Sequence, residues 1–304
     1  MIYRSVYIQQ NSTCSCFSSS GSWTILSNEE QSIKTKIENL GTPLKQWNIR
    51  INRGILTGYN EAFIISTEKK DELIAADPRS AEIIRPILRG RDIKRYEYTF
   101  ADLWLIFVPW HFPLQNDESI TGASAKAEHL FQEQYPAVYK HLFSYKKELS
   151  KRNKAETGIR YEWYALQRWG AKYWNDFFQQ KIVYREISDA MDACLVEPGI
   201  MLNNKCYLIT GEHLEYLLAF FNSKVFTKII LPQANITGGK GEGFLSSISS
   251  QYPTGDIEAK IHNLLQERSS CSSEEAILVD KKIDEIFFSL YGLNESEISF
   301  LNEG

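Results

Sequence analysis

The hydrophobic period of this sequence switches along its length, which points to a fold that mixes helices and strands. Asn28 and Gln31 form an N-cap and capping-box pair ahead of Ile33, Ile37 and Leu40, which share one helical face that Gly41 ends. From Ile49 the period shortens. Ile49, Ile51 and the run Ala62-Phe63-Ile64-Ile65 read as two strands around a glycine-bearing turn, Thr57-Gly58-Tyr59-Asn60. Helical spacing returns at Leu73-Ile74 and at Ile83, Ile84 and Ile87, and 103–108 reads as a buried strand closed by Pro109 and Pro113. Pro136 opens a helix with Val138, Leu142, Tyr145 and Leu149 on one face and Lys140, Lys147, Lys151 and Lys154 on the other. A strand at 181–187, a hairpin of 194–196 with 201–210 about Pro198-Gly199, and a helix at 212–221 follow. The glycine-rich stretch 238–243 reads as a flexible loop. After Pro253 and Gly255, two short heptad-like segments repeat (Ile257, Ile261, Leu264; then Val279, Ile283, Ile286, Leu290) and are expected to pack on each other or on a partner. The expected architecture is α+β, with a linker and helix at 1–42, a mixed-sheet domain at 43–252 and a helical C-terminal segment at 253–304.

A chain of 304 residues, 43% hydrophobic and 24% charged, can bury a core without disulfides or metal. No apolar run nears the ~20 residues of a membrane span, and no basic-then-apolar N-terminus reads as a secretory signal. Residues 11–22 read as a serine-rich linker. Five cysteines, at 14, 16, 194, 206 and 271, make neither a disulfide framework nor a four-ligand zinc pattern. A cytoplasmic, reduced protein with no membrane partner is the expectation.

Net charge is −4, yet its distribution is lopsided. Residues 43–185 hold 23 Lys and Arg against 17 Asp and Glu, whereas 186–304 hold 8 against 18. Such asymmetry marks a basic working face in the first part and a solvated or partner-facing second part.

The common catalytic signatures are missing. The glycine loop lacks phosphate-cradle spacing, no Gly-x-Ser-x-Gly or His-Glu-x-x-His occurs, and the five histidines are not at metal-ligand spacing. Asp77, Asp92 and Lys94 loosely fit a magnesium-dependent nuclease pattern, but the short half of it occurs elsewhere by chance.

Three clusters stand out instead. Arg79, Arg85, Arg89, Arg91, Lys94 and Arg95 crowd into one stretch; Lys146, Lys147, Lys151, Arg152, Lys154 and Arg160 form a second. The third is aromatic, with Tyr161, Trp163, Tyr164, Trp169, Tyr173, Trp174, Phe177 and Phe178 around Arg168 and Lys172. Most of these rings read as core, but Tyr and Trp beside Arg also suit a surface that meets bases and phosphates.

The run Gly54-Ile55-Leu56-Thr57-Gly58-Tyr59-Asn60-Glu61-Ala62-Phe63-Ile64-Ile65, followed by Ile84-Arg85-Pro86-Ile87-Leu88-Arg89-Gly90-Arg91-Asp92-Ile93, resembles the signature of TaqI-like C-terminal specificity domains. These are target recognition domains of adenine-specific DNA methyltransferases and type IIG restriction–modification enzymes. Leu202-Asn203-Asn204-Lys205-Cys206-Tyr207-Leu208-Ile209-Thr210-Gly211, the helix ending Phe221-Asn222-Ser223-Lys224, and the tail from Ile283 to Ile298 are also similar to that family, so the likeness spans most of 27–302. The resemblance implies sequence-specific binding of double-stranded DNA and a methyltransferase domain or subunit as partner. It implies S-adenosylmethionine in that methyltransferase domain, and no cofactor in this chain. The sequence contains no Asn-Pro-Pro, so a separately encoded or severed recognition part is expected, with catalysis elsewhere.

Gly54 and Gly58 are free to take positive φ and let backbone approach a ligand, with Thr57 and Asn60 exposed in the turn between them and the next strand. Arg89 and Arg91 flank Gly90, so two guanidinium forks are expected to project from one turn, suited to guanine as Asn is to adenine. The competing structural reading is a tight hairpin packing Phe63 and Ile65, with the arginines holding carboxylates. The candidate DNA-contacting residues are Arg53, Thr57, Tyr59, Asn60, Arg89, Arg91, Lys94, Arg95, Lys147, Lys151, Arg160, Arg168 and Lys240, with no catalytic or metal-binding residue. The rival functions are a protein-interaction subunit docking a methyltransferase through its acidic C-terminal helices and, behind it, the nuclease.

Overall fold

The computed structural model describes residues 26–186, 190–236 and 241–303, without the side chains of 235 and 236. The serine-rich stretch, Cys14, Cys16, Lys240 and the first half of the glycine loop lie outside them, while the end of that loop is helical rather than flexible, since Glu242 and Gly243 open the helix Glu242–Ser247. Two compact units form, one from 26–49, 190–191 and 212–303, the other from 50–186 and 192–211.

The first unit is helical. Its opening helix, Asn28–Leu40, is capped by Ser27 and Glu30, one residue earlier than expected, because the Ser27 hydroxyl accepts from the Glu30 N–H while the Glu30 carboxylate accepts in return. Ile33 and Ile37 are buried as expected, but Leu40 faces solvent. The helices Gly255–Ser270 and Ser273–Leu290 pack on each other, tied by Arg268 to Asp280 at 2.7 Å and Lys282 to Glu267 at 2.8 Å. Phe287 sits against Tyr216 and Phe220 of the helix Leu214–Asn222. A last helix, Glu295–Asn302, is capped by Asn294. Its buried Glu297 accepts from the Ser32 hydroxyl and from Lys36 Nζ, both at 2.7 Å, which clips the first helix to the last.

The second unit holds two four-stranded sheets. One runs Ile49–Arg53, Cys206–Gly211, Lys181–Arg185, Ala193–Val196; the other runs Ile64–Ser66, Leu103–Ile106, Ile84–Leu88, Met201–Leu202. The α+β class is as the sequence indicates. Two hairpins are not. Ile49–Arg53 and Ile64–Ser66 belong to different sheets, separated by the helical turn Asn60–Phe63. Ala193–Val196 pairs with Lys181–Arg185, while Met201–Leu202 pairs in parallel with Ile87 and Leu88. Ile84–Leu88 is a strand, not a helix; a short apolar run fits either period, and here Leu103–Ile106 provides an antiparallel partner. The lysine-bearing helix breaks into Pro136–Phe143 and Lys146–Leu149, keeping Val138, Leu142 and Leu149 buried. Phe63, Ile87, Leu105 and Phe131 are core; of the aromatic cluster Tyr161, Trp163, Tyr164 and Phe177 are buried as expected and Trp169, Tyr173 and Trp174 pack against the core, while Phe178 faces solvent.

Burial alone would raise the Glu297 carboxyl, but Lys36, the Asn294 N–H and the Ser32 hydroxyl together hold it below the ordinary carboxylate range. A carboxylate depressed in the folded state stabilises above its unfolded value, and that stability is lost as pH falls through its folded value. Glu297→Gln is therefore expected to lower the thermal midpoint at neutral pH, with the difference from wild type closing in acid. Melting curves from about pH 7 to pH 3 check this.

Candidate nucleic-acid interface

The family-like runs, distant in sequence, meet at one end of the second unit. The parallel ladder Ile87↔Met201 and Leu88↔Leu202 sends both strands out at the same edge, so the turns that follow, 89–92 and 203–205, lie side by side. The Asn203 N–H donates to the Leu88 carbonyl at 3.0 Å. A third segment is laid against them, where the Gly54 N–H donates to Cys206 O and the Ile55 N–H to Leu202 O. Gly54 is essential there for packing: a Cβ would sit 2.0 Å from the Asn203 carbonyl oxygen. Its close approach is to this backbone, not to a ligand, and of Gly54 and Gly58 it is Gly58, with φ +78°, that uses the left-handed region.

Arg152 holds the Thr57 turn in place. It is buried and donates to the carbonyls of Leu149, Thr57, Trp163 and Ala165, with its guanidinium over the Phe63 ring. Burial pulls its pKa down to about 10, still protonated at neutral pH. It is thus an internal pin, although the sequence places it in a basic surface cluster.

These segments enclose a cleft of about 340 Å³ lined by Asn60, Ile64, Arg89, Gly90, Arg91, Arg185, Asn203 and Lys205. Four of these side chains are cationic and none is acidic. Gly90 leaves the floor open; a Cβ there would approach the Lys205 carbonyl oxygen to 3.3 Å.

The cations are not equivalent. Arg89 grips the buried Asp92 with both Nε, at 3.0 Å, and a terminal nitrogen, at 2.8 Å, while its own N–H donates to the same carboxylate. The carboxylate-holding reading therefore applies to Arg89. Arg185 is held by Asp192, and Lys205 lies 3.6 Å from Glu186. Arg91 is exposed and has no side-chain partner among the described residues. One fork projects free where two were expected.

The other candidates scatter. Thr57 is buried, its hydroxyl donating to Asn60 Oδ1 at 2.7 Å, so it orients Asn60 rather than standing exposed beside it. Arg53 is bound to Glu186 and to the Asn204 carbonyl and lies over the Tyr207 ring. Tyr59 leans on Tyr145, Lys94 is near Glu97, and Arg95 covers Tyr96. Arg160 is exposed beside Glu156; Lys147, Lys151 and Arg168 are exposed without side-chain partners among the described residues. Arg168 joins Leu56 in a backbone bridge, but neither it nor the lysines line the cleft. Asn203, Lys205 and Arg185 do line it, although nothing in their local spacing marks them individually. The signal for the first two was their place in the Leu202–Gly211 run.

The nuclease pattern does not assemble. Asp77 caps the turn Pro78–Glu82, both Asp92 oxygens face Arg89, and no group of three or more His, Cys, Asp or Glu able to hold a metal occurs among the described residues.

Residues 85–240, more than half of the sequence, match the TaqI-like C-terminal specificity domain. The chain belongs to this family. Among its relatives, the type II methyltransferase M.MjaIV of Methanocaldococcus jannaschii is 20% identical over 276 residues, covering 86% of this chain and 85% of the relative. Among solved structures, the type IIL restriction-modification enzyme MmeI, determined in complex with DNA, superposes with a TM-score of 0.54 at 16% identity over 86% of this chain. That likeness is one of fold, and this specificity-domain chain spans 35% of the length of MmeI. No helix among the described residues is long and apolar enough to cross a membrane.

Arg89 and Arg91 separate experimentally. Arg89→Ala leaves a buried carboxylate unpaired and is expected to cost about 1–3 kcal/mol of stability. Arg91→Ala is expected to stay within ~0.5 kcal/mol of wild type. Denaturant titration of the two variants reads the difference.

Proposed function

We propose that this chain is the sequence-reading part of a restriction–modification system acting on adenine in DNA, and that the cleft edge is where duplex DNA is read. The convergence of the 57–60, 89–91 and 203–205 turns around unpaired Arg91 carries this reading. Arg91 suits guanine O6 and N7, and an amide such as Asn60 or Asn203 suits adenine. Exposed Lys147, Lys151 and Arg168 supply phosphate contacts that position the domain without specifying sequence. Membership of a specificity-domain family and the DNA-bound state in which MmeI was solved support the same partner.

Methyl transfer is assigned to a methyltransferase domain or subunit outside this sequence, because no Asn-Pro-Pro is present. S-adenosylmethionine is assigned to that same domain or subunit. No step of the reaction is placed on this chain.

Direct titration of a mixed-sequence duplex tests the reading. With about five phosphates neutralised, the slope of log K against log salt is expected near −4.5 between ~50 and ~200 mM. Arg91→Ala is expected to lose ~1–3 kcal/mol at one base position and relax preference there. Lys147→Ala is expected to weaken all sequences alike. A slope indistinguishable from zero would instead favour a protein-docking role.

A further inference from the structure

Glu186 follows the strand Lys181–Arg185, does not itself line the cleft, and faces two cations at once. Its Oε1 is taken by the Arg53 guanidinium, which is itself fixed by the Asn204 carbonyl and the Tyr207 ring. Its Oε2 is buried, has no hydrogen-bond partner, and lies 3.6 Å from Lys205 Nζ. Lys205 is held by its backbone, since the Glu186 N–H donates to the Lys205 carbonyl, while its side chain is 56% exposed and lines the cleft.

We propose that Glu186 gates the cleft: it holds Lys205 in a weak ion pair that a DNA phosphate replaces, and so sets the affinity of the site. The deduction rests on the DNA-reading function proposed above. The Lys205 ammonium is on the solvent side and 3.6 Å from Oε2, too far for a hydrogen bond, so the pair contributes little and exchange for a phosphate is easy. The carboxylate does not become an uncompensated charge when Lys205 leaves, because Arg53 stays on Oε1. One carboxylate with one fixed and one releasable cation thus keeps Lys205 beside the cleft without disabling it. Arg89 differs, since its two-point grip on Asp92 within one turn leaves no such freedom.

The test is a double-mutant cycle on duplex affinity with Glu186→Gln and Lys205→Ala, with Glu61→Gln as the control. Glu61 neighbours Asn60 of the cleft and has no cationic partner among the described residues, so its loss changes the same formal charge without freeing a lysine. Glu186→Gln is expected to tighten binding on the order of fivefold, the upper end of what one weak ion pair contributes. Lys205→Ala is expected to weaken binding more in the Glu186→Gln background than in wild type, and equally in wild type and Glu61→Gln. Zero coupling between 186 and 205, in variants whose melting matches wild type, overturns the gate while leaving DNA binding intact. If no variant binds duplex, the DNA reading has failed, and the same cycle with inorganic pyrophosphate reads the gate alone: coupling supports it and additivity overturns it.

Discussion

The geometry of the candidate site depends on a two-residue parallel ladder, Ile87-Leu88 against Met201-Leu202. Parallel strands end at the same edge, so this short pairing brings turns more than a hundred residues apart into one lip. Gly54 then lets a third segment press against Asn203, where any side chain would collide with a carbonyl. Arg152 finishes the arrangement, using one guanidinium to satisfy the carbonyls of Thr57, Trp163 and Ala165 in irregular backbone together with that of Leu149 at a helix end. The cleft is therefore built by backbone and buried groups, and its outward side chains can vary without disturbing the frame. That division suits a module whose partners differ in sequence but not in shape.

Electrostatics sort the basic residues into those that hold the fold and those that remain available. Arg89, Arg152 and Arg185 are committed to Asp92, backbone carbonyls and Asp192. The side chains of Arg91, Lys147, Lys151 and Arg168 face solvent without side-chain partners among the described residues. A net charge of −4 is thus a poor guide to the local field, because every charged side chain lining the cleft is cationic while Glu274, Glu285 and other acids lie on the helical unit.

Much of this was legible in the sequence. Gly54, Arg91 and Asn203 all sit in the runs that carry the family resemblance, and the two C-terminal helices follow directly from their heptad-like spacing. What was not legible depends on non-local partners. Nothing local says that Ile49–Arg53 and Ile64–Ser66 part company into separate sheets, since the pairing is decided by Cys206–Gly211 and Leu103–Ile106 far along the chain. Nor does spacing tell Arg89 from Arg91; only the turn geometry that aims Asp92 back at Arg89 does so. Arg152 reads as one more basic residue among lysines until its burial is seen. Thr57 and Asn60 look equivalent in a polar turn, yet one is buried as the other's hydrogen-bond partner.

The central claim is that DNA meets this chain at the lip formed by the three turns. Amide chemical-shift mapping of the labelled protein on addition of a short duplex tests it most directly. The account predicts the largest perturbations at Asn60, at Gly90 and Arg91, and at Asn203 and Lys205, fading as salt is raised. Perturbations confined to the helices Gly255–Ser270 and Ser273–Leu290, with the cleft amides silent, would contradict it.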